Sequence, residues 1–572
     1  MPHDLVITGG TVVDGTGSAP FVADIAIDAG RISAIGSISA AATQRIDADG
    51  ATVMPGFVDI HTHYDGQATW SDLLVPSSWH GVTTVVMGNC GVGFAPVRPH
   101  DRERLIELME GVEDIPGAAL HEGLKWDWES FPEYLDALDR RPHDIDVAAQ
   151  IPHGALRLYV MGERGATRDA ATTDDIVEMG RIARAAVAAG ALGFTTSRTK
   201  NHKTSRGDYT PTLTAAAEEL IGIADALDAG VLEVVSDFAD VEEELRTVIG
   251  MAASSGRPLS ISVLQVDGRP HGWRRLIDAI AEANAAGMDV TAQVAARPVG
   301  LLLGLQTTVN PLGGSATARA LSARPVAEQL IELRRADVRH AIVTEMAQAR
   351  SVFRFDRLFP LTDPPNYEPS YDDSVAAAAQ RLGVEPEAFV YDHVLGDEGR
   401  AMLYVPFLNY SDGSLDIAKE LLEHPNSVLG LGDGGAHVGT ICDASFPTTM
   451  LTHWIRDRRR GPLLELPAVV AKQTSRTARA VGLLDRGVLA PGMRADVNVV
   501  DLENLRLHLP TVEYDLPAGG RRFLQRADGY LHTIVAGVPT YANGEHTGAL
   551  AGRLVRDAQP DPRPNSTGSR QP

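Results

Sequence analysis

The sequence predicts an α/β protein: a (β/α)8 TIM barrel with a composite small β-sandwich domain formed by both termini. Three observations predict it. Apolar strand-like runs alternate with helix-like stretches through the middle of the 572 residues, the pattern of a parallel sheet with helical crossovers. Eight strand candidates can be counted there, the number that closes a barrel. Short alternating strands punctuated by glycine stand near the start and return near the end. An open doubly wound sheet is the structural alternative.

The elements follow in chain order. Residues 3–50 carry Leu5-Val-Ile-Thr and Asp24-Ile-Ala-Ile-Asp, broken by Gly9-Gly10, Gly15 and Gly30. The same grammar recurs in Gly487-Val-Leu-Ala-Pro-Gly-Met-Arg-Ala-Asp-Val-Asn-Val-Val-Asp501 and Thr533-Ile-Val-Ala-Gly, so residues 1–52 and 478–550 are assigned to one β domain and 53–477 to the barrel. The eight strand candidates are 53–63, Gly81-Val-Thr-Thr-Val-Val-Met-Gly, Asp146-Val-Ala-Ala-Gln-Ile-Pro-His, Ala191-Leu-Gly-Phe-Thr-Thr, Val231-Leu-Glu-Val-Val-Ser, Leu259-Ser-Ile-Ser-Val-Leu-Gln, Asp289-Val-Thr-Ala-Gln-Val and Ser427-Val-Leu-Gly-Leu-Gly-Asp433. Two stretches interrupt the alternation, 98–145 with Trp126, Trp128, Phe131 and Tyr134, and 299–390. Both are read as excursions over the barrel mouth. Excursions of this length serve as lids, as contacts in a homo-oligomer or as disordered segments. Residues 556–572, rich in Pro, Arg, Ser and Asp, are read as a disordered tail.

Composition narrows the function classes. With 44% hydrophobic and 22% charged residues the chain is ordinary globular protein. No apolar run approaches the roughly 20 residues of a membrane span, and the start lacks a basic segment followed by an apolar core, so a cytoplasmic enzyme without membrane partners is expected. Two cysteines, Cys90 and Cys442, are too few for a disulfide framework. A formal charge of −24 argues against nucleic acid as a partner, because phosphate contacts need a clustered positive face.

The chemistry gathers on Met54-Pro-Gly-Phe-Val-Asp-Ile-His-Thr-His63. In an extended strand, residues two apart share a face, so His61 and His63 converge on one spot at the C-terminal end of the first strand. Cys90, flanked by glycines in Met87-Gly-Asn-Cys-Gly-Val-Gly, follows the second strand. Asp433, in Gly430-Leu-Gly-Asp-Gly-Gly-Ala-His437, follows the eighth, which closes beside the first. Two imidazoles, a carboxylate and a thiolate suit zinc or a similar divalent ion. Such an ion activates water, which makes hydrolysis the natural reaction class, with Asp433 moving the water's proton. His153 after strand three, and Arg198, Lys200, His202, Arg206 and Tyr209 after strand four, are candidates for substrate contact. His437 is a candidate donor to a transition-state oxygen.

Pro55-Gly-Phe-Val-Asp-Ile-His-Thr-His-Tyr-Asp, the Cys90 loop, Gly430-Leu-Gly-Asp-Gly and Gly492-Met-Arg-Ala-Asp-Val together resemble the amidohydrolase superfamily, in its N-acyl-D-amino-acid deacylase branch. The resemblance spans nearly the whole chain. It implies a barrel beside a β-sandwich, hydrolysis of an amide or related C–N bond in a small molecule, and zinc held by His61, His63, Cys90 and Asp433, with Asp433 also the general base.

The departures matter as much. Where that branch offers histidines after strands five and six, this chain reads Leu232-Glu-Val-Val-Ser-Asp-Phe and Ile261-Ser-Val-Leu-Gln, which puts Val235 and Val263 in the ligand positions. The second metal site is then missing, or rebuilt from Glu233, Asp237, Gln265 or Asp267, and one zinc per chain is expected. Asp237 and Gln265 also stand where the branch keeps the arginine and lysine for a substrate carboxylate, so a free N-acyl-D-amino acid is not the expected substrate. A deaminase, a lactone hydrolase and a degenerate binding or assembly subunit remain alternatives.

Overall fold

The computed structural model describes residues 2–349 and 353–563. It is an α/β structure whose parallel strands fall where the alternation places them: β1 (Phe57–Asp59), β2 (Val82–Met87), β3 (Asp146–Ala149, continued by Ile151–Pro152), β4 (Gly193–Arg198), β5 (Val231–Ser236), β6 (Leu259–Ser262), β7 (Val290–Val294) and β8 (Ser427–Leu429). Each pairs in parallel with the next, and the two halves of β3 link the run β1-β2-β3 to the run β3 through β8. Just past the ends of β8 and β1, Gly434 bridges Thr62 in parallel, with the His63 N–H donating to the Gly434 carbonyl at 2.8 Å and the Asp433 N–H to the His61 carbonyl at 3.1 Å. Asp433 is therefore anchored directly beside the histidine pair.

The expected strand 53–63 is in fact two. Thr52–Pro55 pairs with Val497–Val500 and with His3–Val12, in a different sheet from β1. Gly56 makes the break: a Cβ there would lie 2.2 Å from Thr83 Oγ1, closer than any side chain tolerates. That other sheet has nine strands and draws on both ends of the chain. Its order is Glu545–His546, Val538–Ala542, Tyr530–Val535, Val497–Val500, Thr52–Pro55, His3–Val12, Phe21–Asp28 and Arg31–Gly36, with Ala42–Asp47 pairing onto His3–Val12. Period-two apolar positions such as Leu5 and Ile7, Ile25 and Ile27, and Val497 and Val499 supply its core.

Of Gly487–Asp501, read as β grammar, only Val497–Val500 is strand. The residues before it make a buried ionic clamp instead. Asp146 at the start of β3 accepts from Arg486 at 2.7 Å and Arg494 at 2.9 Å, while Asp485 and Asp496 flank the two guanidiniums at 2.9 and 3.2 Å. Beyond it the chain returns along β3, where Val147 exchanges hydrogen bonds with Arg553 and Val555. The reading of 556–572 as a disordered tail is corrected for its first part: Asp557 donates to the Gly190 carbonyl, Gln559 to that of Gly482, and Arg556 pairs with Asp136 at 2.6 Å. Residues 564–572 lie outside the described part.

Both long excursions are folded. The first holds helix α1 (Arg102–Glu113) and helices Gly117–Gly123 and Phe131–Asp139, pinned by Trp128, whose indole donates to the Phe94 carbonyl at 2.8 Å. The second reaches further than residue 390: Val299–Leu303, Phe359–Pro360 and Leu403–Leu408 form a three-stranded sheet, and its helices enclose a separate apolar core around Leu303, Leu312, Leu330, Ile342 and Tyr391. Among the described residues no helix is long and apolar enough to cross a membrane.

Candidate active site

The site forms at the C-terminal ends of the parallel strands. After β1, the N–H and hydroxyl of Thr62 both donate to the Val86 carbonyl, while its neighbours His61 and His63 project together, rings edge to face with centroids 5.6 Å apart. Cys90 enters from the turn after β2. A Cβ on Gly88 would sit 2.1 Å from the Gln150 carbonyl oxygen, so the turn requires glycine there. Cys90 itself holds φ at 54°, and in the loop after β8 Leu431, Asp433 and His437 hold φ at 60°, 47° and 49°. Left-handed backbone at side-chain-bearing residues is costly and gathers at functional sites.

The distances are those of one donor cluster. His61 Nε2 lies 3.3 Å from Cys90 Sγ and 3.4 Å from Asp433 Oδ1, and His63 Nε2 lies 3.7 Å from the same Asp433 oxygen. The donor atoms of His61, His63 and Cys90 all fall within 4.8 Å of one another. Burial holds His61 down to about 4 and His63 well below the usual imidazole range, so both rings are neutral and keep lone pairs to offer. Burial also raises Asp433, takes Glu233 up to about 8, and pushes Glu113 and Cys90 well above the ordinary values of a carboxyl and a thiol, the nearby carboxylates Glu233, Glu113, Asp433 and Asp65 adding to the effect on the thiol. His63 Nδ1, both carboxylate oxygens of Glu113 and Glu233 Oε1 are buried without a hydrogen-bond partner. An N, O and S donor set with unpartnered buried atoms fits a zinc-type ion, whose charge would stabilise the ionised thiol and carboxylates. Such an ion, when bound, supplies water activation and carbonyl polarisation.

Gln293 on β7 completes the support of His61. Its Oε1 lies 2.7 Å from His61 Nδ1, and its Nε2 donates to Ser260 Oγ at 2.8 Å. The amide oxygen accepts the Nδ1 proton, leaving the Nε2 lone pair aimed at Cys90 and Asp433. Gln293→Leu should weaken metal binding about 10–100-fold, as loss of such partners does elsewhere. Competition with a chelator measures this, and wild-type affinity in the variant would contradict it.

A cavity of about 550 Å³ opens onto this cluster. His61, Cys90, Asp433, His437, His202 and Asp237 line it, as does Val235, and its walls include Phe238, Leu264, Trp273, Leu276 and Phe407. His202 is held by Ser197 Oγ at 2.8 Å. Other sequence candidates lie elsewhere. His153 is locked between Thr196 at 2.9 Å and Glu219 at 3.0 Å. Arg198 forks onto Glu244, Arg206 pairs with Glu107 at the surface, and Tyr209 is exposed under Lys203. Lys200 is exposed, and its backbone N–H donates to Asp237. Gln265 is buried against Ser411 and Asp412, Asp267 bonds Ser411, and Val263 is buried away from the cavity walls. Glu233, by contrast, is at the site, accepting the Cys90 N–H at 3.1 Å.

Sequence reasoning missed Gln293 and Glu113. Each carried a signal: Gln293 is an amide inside an apolar strand, and Glu113 continues the Ile106, Met109 row of α1, which is otherwise apolar.

Parallel strands with a His-X-His pair, a cysteine and an aspartate at their C-terminal ends define a hydrolase built around a metal-type site. The chain belongs to the amidohydrolase family, whose model matches residues 44–541, and it is a hydrolase of carbon–nitrogen bonds other than peptide bonds. It is 28% identical over 566 residues to the D-aminoacylase of Alcaligenes xylosoxydans xylosoxydans, covering 97% of this chain and 98% of that one. It is also 28% identical over 516 residues to the N-acyl-D-glutamate deacylase of the same organism, covering 88% of each. A solved D-aminoacylase structure, described as having a binuclear metal centre with one-metal activation and second-metal attenuation, matches with a TM-score of 0.65 at 25% identity, over 97% of this chain and all of that one. The N-acyl-D-glutamate deacylase of Bordetella bronchiseptica shares the fold, with a TM-score of 0.64 over the same shares.

Proposed function

We propose that this protein hydrolyses an amide or related C–N bond in a small, largely apolar substrate, using one divalent ion, zinc by its donor set, held by His61, His63, Cys90 and Asp433. The observation that carries the reading is the convergence of those four donors, with buried unpartnered atoms around them, at one end of an apolar cavity. In this account the eight strands close as a TIM barrel and the two ends of the chain make a β-sandwich domain; the cyclic pairing and the shared nine-stranded sheet support it.

Asp433 acts as the general base. It takes a proton from the attacking water as the C–O bond forms and returns it to the leaving nitrogen as the C–N bond breaks. His437, whose Nε2 lies 4.0 Å from Asp433 Oδ2, is placed to donate to the oxygen on which charge develops. The apolar walls hold the remainder of the substrate and keep water away from the reacting bond.

The relatives named above are a D-aminoacylase and an N-acyl-D-glutamate deacylase, but the cavity here favours a substrate without a free carboxylate. Arg269 is the one lysine or arginine lining it among the described residues, and its guanidinium is spent on the backbone carbonyls of Asp237 and Phe238. A free carboxylate entering here finds no unpaired cation. Turnover of a panel of N-acyl amines, lactams and N-acyl-D-amino acids of matched size tests this: amides without a carboxylate should be preferred, and fastest turnover of an N-acyl-D-amino acid would overturn it.

A further inference from the structure

We propose that Glu113 is a positioning residue of the metal centre, a carboxylate that reaches in from the first excursion to hold His63 through Nδ1. The proposal rests on the metal reading above. Glu113 ends α1 on the face that buries Leu105, Ile106, Leu108, Met109 and Val112, and its side chain is 1% exposed. A carboxylate in such surroundings is costly unless something answers its charge.

What faces it is imidazole. Oε1 is 3.3 Å from His63 Nδ1 and Oε2 is 3.7 Å from His437 Nε2, and neither oxygen has a formed hydrogen bond. His63 Nδ1 is equally without a partner, so the two orphaned groups are matched to each other. The placement is built rather than incidental. The Glu113 carbonyl accepts the Val438 N–H, and the adjoining Asp114 accepts from Thr308 Oγ1 at 3.3 Å and the Gly439 N–H at 3.2 Å. The end of α1 is thereby stitched to the loop that carries Asp433 and His437.

A symmetry between the two histidines strengthens the assignment. His61 rests its Nδ1 on Gln293 and His63 rests its Nδ1 on Glu113, while both Nε2 atoms turn to the same oxygen of Asp433. Each ring is oriented from behind, and metal-ligating histidines are commonly held this way. β5 carries Val235 and the residue after β6 is Val263, neither of which can ligate, and Glu113 supplies support from a segment outside the strand framework.

The test uses the full chain, stripped by chelator and titrated with zinc against a competing chelator. Glu113→Gln should bind zinc about 10–100-fold more weakly than the wild type and alter the visible absorption of the cobalt-substituted protein. The metal-free variant should melt no lower than the metal-free wild type, since neither Glu113 oxygen makes a formed hydrogen bond that the amide would lose. Wild-type zinc affinity and cobalt spectrum in Glu113→Gln would overturn the proposal, as would a lowered melting temperature of the metal-free form with affinity unchanged, which marks a merely structural residue. A wild type that takes up no zinc would fail the metal reading itself. Should Glu113→Gln not accumulate folded, Glu113→Asp, which withdraws the charge by one methylene, carries the same comparison.

Discussion

Asp433→Asn is expected to lower kcat by about 10²–10⁴-fold, the usual contribution of a positioned acid–base group. Asparagine keeps the shape and leaves an oxygen to face His61 Nε2 and His63 Nε2, but it cannot take a proton from water and return it to nitrogen. The carboxyl is only 15% exposed, and burial pushes its pKa up. Its backbone is independently anchored through the bond to the His61 carbonyl, so the fold should survive the change. Steady-state kinetics on the best amide of the panel, with metal content measured in parallel, decides it. Full metal loading with wild-type kcat would remove Asp433 from the role of base.

Arg486→Ala is expected to cost about 3–5 kcal/mol of stability, the scale for stripping one partner from a buried ion network. Arg486 is 1% exposed and bonds Asp146, Asp485 and Thr84. Its loss leaves Asp146 with Arg494 alone at the start of β3, where the returning segment around Arg553 also docks. Shifts in denaturant midpoint measure the cost. Replacing Arg486, Asp146 and Asp485 together by apolar residues should recover much of it, because the remaining Arg494 and Asp496 pair with each other and no uncompensated charge is left. An unchanged midpoint in the single variant would show that the clamp contributes little.

Much of this was legible in the sequence because it follows from local periodicity. The eight strands could be placed from apolar runs, and His61, His63, Cys90 and Asp433 from their positions at strand ends. The strand-end rule was less reliable for substrate contacts. His153 and Arg198 occupy the right strand ends, yet Glu219 and Glu244, distant in sequence, take them out of reach of the cavity. Only the three-dimensional arrangement reveals such partners. Glu113 and Gln293 were missed for the complementary reason. A carboxylate at a helix end and an amide inside a strand look ordinary until the fold sets them 3.3 Å and 2.7 Å behind the two histidines. The double identity of 53–63 was half legible: Pro55-Gly56 signals a turn before Phe57, but that the two sides of it serve two different sheets appears only in the fold.

In the proposed site His61 and His63, each steadied from behind, present their Nε2 atoms with Asp433 and Cys90 to a single ion. An anomalous difference map from crystals of the zinc-reconstituted protein, recorded across the zinc edge, tests it most directly. One peak per chain is expected, among His61 Nε2, His63 Nε2, Cys90 Sγ and Asp433 Oδ1. No peak at that position after reconstitution, or a pair of full-occupancy peaks there, would contradict it.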